Sequence, residues 1–404
     1  MNRRSYLAVA GAVTLAGCSG TELMENTSVG SEGDEDVEPV EGPMEGETFD
    51  DFGDLSAWTA ESGTLYGVDD REPYTGSQSA LLVAGDSDSQ SRLVRELSPP
   101  VDLSGMSPGL AMATDGSSPP MIQLYDADGD HVDFRQMAGG NRSLVRTPFG
   151  IDAVEGDPDL GAVSEIRISQ WVAEDESAQL SIDDLHFASR PDPGRVLVGF
   201  EGGYENHYTE SFPIVAEYEY PATVFVPTER IREESDHDGD RLTEGQLADL
   251  DAAGWTIGSY GARGLDLTDL SDRTPAEEIE AALDWLVDHG YGESARYFSY
   301  PRRNFDDEIL EFVADRHDLA FAGRYPAQGR LANPHLCSTV VNPDAEDGRR
   351  ALDLTAEMGG ITVLSYLGVD GEVREALAET LAHLDELESA GELEVVAPDD
   401  LDPL

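Results

Sequence analysis

Lysine is missing from all 404 residues: the 25 basic side chains are arginines, set against 83 aspartates and glutamates, for a formal net charge of −58. That absence excludes Schiff-base lysines, a phosphate-loop lysine and any lysine general base. The excess of acid excludes nucleic acid as a partner, because a surface of this sign repels a phosphate backbone. It is read as adaptation to high salt, where screening shortens to about 3 Å at 1 M; an acidic partner-binding face is the other reading. Cysteine is scarce, with Cys18 and Cys337 alone, and a leader ending before a modified Cys18 leaves no intrachain disulfide. Long apolar runs are lacking too: Leu7 to Ala16 falls short of the roughly 20 residues that span a bilayer, and no other stretch approaches that length. What remains is 39% apolar with 41 glycines and 22 prolines. At roughly 150 residues per domain, this is a folded, loop-rich chain of two to three domains.

The first residues read as an address. Asn2-Arg3-Arg4-Ser5-Tyr6-Leu7 followed by an apolar run resembles a twin-arginine export signal, and Leu15-Ala16-Gly17-Cys18 resembles a lipobox. The resemblance implies a signal over residues 1–17, lipidation at Cys18, and a haloarchaeal-type lipoprotein exported and anchored to the outer face of the cytoplasmic membrane. Residues 18–47 read as an acidic disordered tether: Ser19 to Glu47 hold ten acids and no arginine. Asn26 and Asn141 each open a glycosylation sequon.

From residue 48 to 190 short β-type runs alternate with turn clusters and no helical period persists, which predicts an all-β sandwich. Ala80–Val83, Met121–Tyr125, Ile166–Ile168 and Leu180–Ile182 are the clearest strands, and Asp126–Asp130 reads as a hairpin turn. Tyr74–Leu81, Pro100–Gly105 and the closing Ile182-Asp183-Asp184-Leu185-His186-Phe187 resemble jelly-roll carbohydrate-binding modules. That resemblance implies a structural Ca²⁺ between first and last strands, with Asp50, Asp51, Asp183 and Asp184 as candidate ligands. Trp58, Tyr74, Tyr125 and Trp171 are either sugar-stacking platforms or core.

After the stiff Arg190-Pro191-Asp192-Pro193-Gly194 the texture changes. Over residues 195–404, buried-strand runs alternate with helical periods in seven or eight β/α repeats, which predicts a distorted barrel of parallel strands with its site at the strands' C-terminal tips. Gly199-Phe200-Glu201-Gly202-Gly203-Tyr204, Tyr220–Val226, Ala253–Tyr260 and Phe298-Ser299-Tyr300-Pro301 occur in an order that resembles the polysaccharide deacetylase family, the NodB-homology domain of carbohydrate esterases. The expected architecture is therefore multidomain, a jelly-roll-like sandwich followed by a distorted (β/α)7–8 barrel. The expected partner is a carbohydrate polymer or cell-surface glycan.

The resemblance implies a zinc hydrolase, and the residues depart from it. The family's base position carries Glu201, and its three metal-ligand positions carry Gly202, Tyr260 and Gly264. The position of its catalytic acid carries Tyr366. Zinc needs three protein ligands and an open water position, and two of these positions are glycine. Tyr260, Tyr300 and Arg302 are left as candidate binding residues. The eight histidines show no i,i+4 pair, no Gly-x-Ser-x-Gly elbow occurs, and Asp236–Asp240 reads as a solvated loop. Two readings follow. In one, the barrel is a pseudoenzyme that needs no cofactor and binds or scaffolds glycan. In the other, a deacetylase of C–N or O-acyl bonds works from a rearranged site, with zinc or with a metal-free pocket of Glu201, His207, Tyr260 and Tyr366.

Overall fold

The computed structural model describes residues 38–68, 72–85, 88–114, 119–137, 142–172, 177–233 and 240–401. The export signal, Cys18, Asn26, Asn141 and residues 236–239 lie outside them. Residues 38–401 belong to one compact unit, and no helix among the described residues is long and apolar enough to cross a membrane.

The first part is built of antiparallel strands: β1 (Thr48–Asp50), β2 (Thr59–Ser62), β3 (Thr64–Val68), β4 (Ser79–Ala84), β5 (Gln90–Val101), β6 (Met106–Thr114), β7 (Pro120–Tyr125), β8 (His131–Arg135), β9 (Val145–Pro148), β10 (Gly150–Glu155), β11 (Val163–Trp171) and β12 (Ala178–Ser189). One sheet runs β3-β4-β12-β6-β9 with β1 also on β12; the other runs β10-β8-β7-β11-β5-β2. Period-two alternation supplies the shared core: Leu82, Leu110 and Ile182 from the first sheet meet Ile122, Leu124, Phe134, Ile166 and Ile168 from the second. At the hairpin between β7 and β8, Asp126 accepts the backbone N–H groups of Asp128, Gly129 and Asp130 at 2.9–3.0 Å, the turn chemistry expected of an aspartate there.

The last ten residues of the expected tether are not free. Val40 bridges Val101, Gly46 donates to the Phe187 carbonyl, and Glu45 accepts from Ser189. Backbone pairing with the ends of β5 and β12 satisfies groups that composition alone leaves to water.

Beyond Arg190 the strands are parallel: β13 (Gly194–Glu201), β14 (Thr223–Val226), β15 (Thr256–Ser259), β16 (Tyr297–Ser299), β17 (Leu319–Phe321), β18 (Val340–Val341), β19 (Ile361–Tyr366) and β20 (Leu393–Val395). The helices are α1 (Phe212–Ala216), α2 (Glu244–Ala252), α3 (Pro275–Asp288), α4 (Asp307–Ala314), α5 (Ala345–Met358) and α6 (Gly371–Ala390). The sheet runs β17-β16-β15-β14-β13-β19-β18, with β20 beside β13. Its β17 edge carries an isolated bridge to Cys337, which lies three residues before β18; the Cys337 N–H donates to Ala320 and its carbonyl accepts from Ala322, at 2.9 and 2.8 Å. The sheet is thus barrel-like, with no ladder between its two edge strands. Strand residues alternate across its wall. Val196, Val198 and Phe200 pack outward with Leu352 of α5 and Leu377 and Leu381 of α6; Leu197 points inward with Phe225, Phe321 and Val363. Capping boxes at Thr243/Gln246 and Thr274/Glu277 start α2 and α3.

Arg190, expected in a break between domains, is instead a buried clasp. Its Nε donates to the Met358 carbonyl at 2.7 Å and its Nη1 to that of Met106 at 2.5 Å, linking α5 to β6. Gln136 reaches Ser338 and Asn333 reaches the Arg146 carbonyl, at 2.7 and 2.9 Å. These contacts fix the antiparallel sheets against the barrel.

Candidate functional site

Glu201 ends β13 and points into the barrel mouth, 1% exposed. A buried carboxylate needs partners, and two close on it. Ser365 Oγ on β19 donates at 2.7 Å, and Arg303 Nη2 straddles both carboxylate oxygens at 3.1 and 3.0 Å. Arg303 Nε donates to Thr339 Oγ1 at 3.3 Å, which orients the guanidinium. Both Arg302 and Arg303 sit at φ 60°, a conformation natural to glycine and costly for L side chains. The loop after Pro301 therefore holds two arginines in a strained backbone that aims one of them at Glu201.

Tyr260 joins this inner group. It is buried, and its hydroxyl is pushed well above the usual phenol range, first by burial and then by the neighbouring charge of Glu201. Gly264 adjoins it: a Cβ there would lie 3.0 Å from the Tyr260 ring. Gly202, at φ 94°, faces a filled space. A Cβ would lie 2.8 Å from the Tyr204 ring, over which the Arg241 guanidinium stacks at 3.7 Å.

Tyr366 and Tyr300 do not reach the mouth. Tyr366 follows Ser365 and so turns to the other face of β19, where its ring packs 5.9 Å from Phe200 beneath the helices. His207 is on that same outer side, fully buried at 5.4 Å from the Phe200 ring, with Nε2 against the Leu367 carbonyl. Burial holds its pKa down at about 4. β13 thus separates His207 and Tyr366 from Glu201 and Tyr260, and the four do not assemble into one acid–base pocket. Tyr300 packs among Phe298, Phe305 and Ile309 against α4, while Arg302 is exposed at the rim. Sequence reasoning passed over Arg303, Ser365 and Thr339. Strict alternation along β19 from Ile361 and Val363 would have pointed to Ser365; no short-range signal marks the other two.

The donor set does not fit the zinc that the resemblance implies. The Glu201 oxygens are engaged by Arg303 and Ser365, Gly202 and Gly264 have no side chains, and burial makes Tyr260 resist ionisation. No cluster of three His, Cys, Asp or Glu able to hold a metal occurs among the described residues. The calcium candidates are engaged likewise. Asp50 pairs with Arg95 and accepts from Trp58 Nε1 at 3.0 Å; Asp51 accepts from the Gly53 N–H at 2.9 Å. Asp183, whose pKa burial raises, accepts the Tyr74 and Thr75 N–H groups at 2.8 and 3.2 Å. Asp184 is held by Arg146 Nε at 2.6 Å and Thr48 Oγ1 at 2.6 Å. Burial alone would raise the Asp184 pKa, but His186, Arg146 and Thr48 together outweigh it and bring it to about 2. At Asp50, Asp183 and Asp184 arginine, hydroxyl and N–H groups already take up the carboxylate oxygens, whereas Asp51 is exposed and bonded through one oxygen alone. Of the aromatic candidates, Trp58 is core, stacked 5.3 Å from Phe52, while Tyr74 and Trp171 are exposed; Tyr125 lies under Arg167 at 4.0 Å.

Residues 188–320 match the family model for polysaccharide deacetylases. YxkH of Bacillus subtilis (strain 168), provisionally named a polysaccharide deacetylase, is 26% identical over 122 residues, which are 30% of this chain and 42% of YxkH. The chain thus spans less than half the length of this curated relative. Among solved structures, a family 4 carbohydrate esterase from Streptomyces lividans in complex with acetate is 12% identical, covering 52% of this chain and 97% of that one at a TM-score of 0.37. A family 4 carbohydrate esterase from Bacillus anthracis is 19% identical, covering 52% and 84% at a TM-score of 0.36. The family match shows that this chain carries a polysaccharide deacetylase-like domain.

Proposed function

We propose that this is an exported, lipid-anchored surface protein whose deacetylase-like barrel binds or scaffolds a glycan without zinc hydrolysis. One observation carries the reading: at the family's base position, Glu201 is buried and bonded to Arg303 and Ser365. A general base must present a free oxygen to the proton it takes, and here both carboxylate oxygens already accept hydrogen bonds from Arg303 and Ser365. Arg303 stands as a built-in cation beside the carboxylate. The strand tips still form an open mouth, with Tyr260, Arg302 and Arg303 as polar contacts for sugar hydroxyls, and the antiparallel sheets stand beside them as a carbohydrate-binding-module-like, jelly-roll-type support.

The test is metal content and acetyl release together. Full-length protein purified in high salt is expected to hold no stoichiometric zinc and to release no acetate from acetylated glucosamine oligomers. Stoichiometric zinc that disappears in Glu201→Gln, or acetate release abolished by that change, would establish the alternative of a working deacetylase. Anchoring is tested separately: Cys18→Ala is expected to release the protein from the membrane fraction or leave it unprocessed, and unchanged partition and mass would refute it.

A further inference from the structure

A cavity of about 150 Å³ opens beside the mouth, between the antiparallel sheets and the barrel. Gln136 and Thr147 form its wall on the sheet side; Arg302, Arg303, Asn304 and Arg324 line the barrel side. Acids outnumber arginines more than threefold in this chain, yet the described lining contains three arginines and no aspartate or glutamate. Arg303 is committed to Glu201. Arg302 and Arg324 are exposed and make no ion pair within 4 Å among the described residues; Asp266, held by Asn304, is near enough to Arg302 to feel its charge, while no carboxylate stands against Arg324.

The neighbouring polar groups do not serve these two guanidinia. Gln136 Nε2 donates to the Pro148 carbonyl and to Ser338 Oγ, both at 2.7 Å, and its Oε1 accepts the Met137 N–H at 2.8 Å. Thr147 Oγ1 donates to the Val145 carbonyl at 2.9 Å, and Asn304 Nδ2 to Asp266 at 2.6 Å. The donors left open are guanidinium N–H groups, whose planar fork matches carboxylate and sulfate oxygens. Phe305 and Leu336 add apolar surface of the kind that meets a sugar's C–H face. The strained backbone at Arg302 and Arg303 presents both side chains from one turn.

We infer that this cavity is an anion subsite, and that the glycan carries a carboxylate or a sulfate substituent held between Arg302 and Arg324. The inference deepens the glycan-binding reading and rests on it. The field of the whole molecule sharpens it. A protein at −58 repels polyanions at long range, so an acidic glycan that binds does so through a local cluster of unpaired arginines.

The experiment compares oligogalacturonate, dextran sulfate and neutral chito-oligosaccharide as probes for the full-length protein by calorimetry at one fixed salt concentration. The two anionic arms distinguish carboxylate from sulfate. One of them is expected to bind at least ten-fold tighter than the neutral oligomer, and the double variant Arg302→Gln/Arg324→Gln to lose at least ten-fold of that affinity with an unchanged melting temperature. Equal anionic binding by wild type and double variant would overturn the subsite. Binding of the neutral oligomer alone would overturn the anion inference while leaving the glycan reading intact, and binding of none of the three would overturn both.

Discussion

Two buried carboxylates, one in each half of the molecule, take an arginine as partner in opposite ways. Asp184, in the antiparallel sheets, is caged: Arg146, Thr48 and His186 surround it, its side chain has no exposure, and Arg146 is held in turn by the Gly46 carbonyl and the Tyr74 ring. Glu201, at the barrel mouth, has Ser365 and a single guanidinium nitrogen, and that arginine comes from a strained loop beside an open cavity. The same pair chemistry makes a closed structural lock in one place and an accessible charged mouth in the other. What separates them is the number of independent elements that fix the arginine, since both arginines keep a similar part of their side chains in solvent, 23% for Arg146 and 19% for Arg303.

The largest effect expected is on pH, because the depressed pKa values fall on different kinds of group: neutral histidines in the barrel and a charged aspartate in the antiparallel sheets. In the barrel, His207 and His317 are buried neutral, and burial lowers both from 6.5 to about 4. A base whose folded pKa is depressed must lose that protection as protons bind. Its contribution is whole above about pH 6.5 and is lost as pH falls toward 4, at about 3 kcal/mol per histidine. Asp184 is buried charged, with its pKa brought from 3.8 to about 2. Its contribution is whole above about pH 4 and is lost only as pH falls through 2, at about 2 kcal/mol. Denaturant unfolding from pH 7 to 3 is expected to show a decline between 6.5 and 4 that becomes shallower in His207→Gln. Asp184→Asn should leave the shape of that upper limb unchanged. An identical upper limb in wild type and His207→Gln would show that His207 does not stay neutral in the folded protein.

Next in size is removal of each arginine. Arg146→Ala leaves Asp184 charged in a dry cage, and breaking a buried pair from one side costs about 3–5 kcal/mol. Arg303→Ala leaves Glu201 beside a mouth that water can enter, and it also relieves an L side chain at φ 60°, so a smaller loss is expected. Chemical denaturation of both variants at neutral pH checks the order. Equal losses would mean that Glu201 is as closed as Asp184, and the barrel mouth would then be no binding site.

That contrast also marks what sequence could and could not tell. The alternation that buries Val196, Val198 and Phe200 on one side of β13 and Leu197 on the other is written in the chain, and so are the helix starts at Thr243 and Thr274. Near the strand tips the same alternation decides the chemistry, and a slip of one residue inverts it: a motif position points to Tyr366, whereas the backbone turns Ser365 inward. Partnerships across long separations are less legible still. Arg303 meets Glu201 across 102 residues and Arg146 meets Asp184 across 38. No local pattern pairs these charges in a chain with 83 acids to choose from. The docking of residues 38–47 was hidden for a related reason, since backbone pairing needs no apolar side chains.

The smallest expected effect contrasts buried pairs with surface ones. Arg374 on α6 reaches Glu210 at 2.7 Å, with both side chains largely in solvent, at 48% and 40% exposure. Such pairs contribute about 0.2–1 kcal/mol at most and are screened by salt. Screening at 0.1 M extends over about 10 Å and at 1 M over about 3 Å. The small loss on Arg374→Ala should therefore fade between these two concentrations, while the loss on Arg146→Ala, set by the fully buried Asp184 side chain, should change less. Over the same range the wild type should gain stability, because screening relaxes the self-repulsion of a chain at −58. Melting temperatures of the three proteins at both salt concentrations separate these terms. If the Arg146→Ala difference shrank with salt as the Arg374→Ala difference does, Asp184 would be open to ions, and the distinction between a closed lock and an open mouth would fail on its closed side.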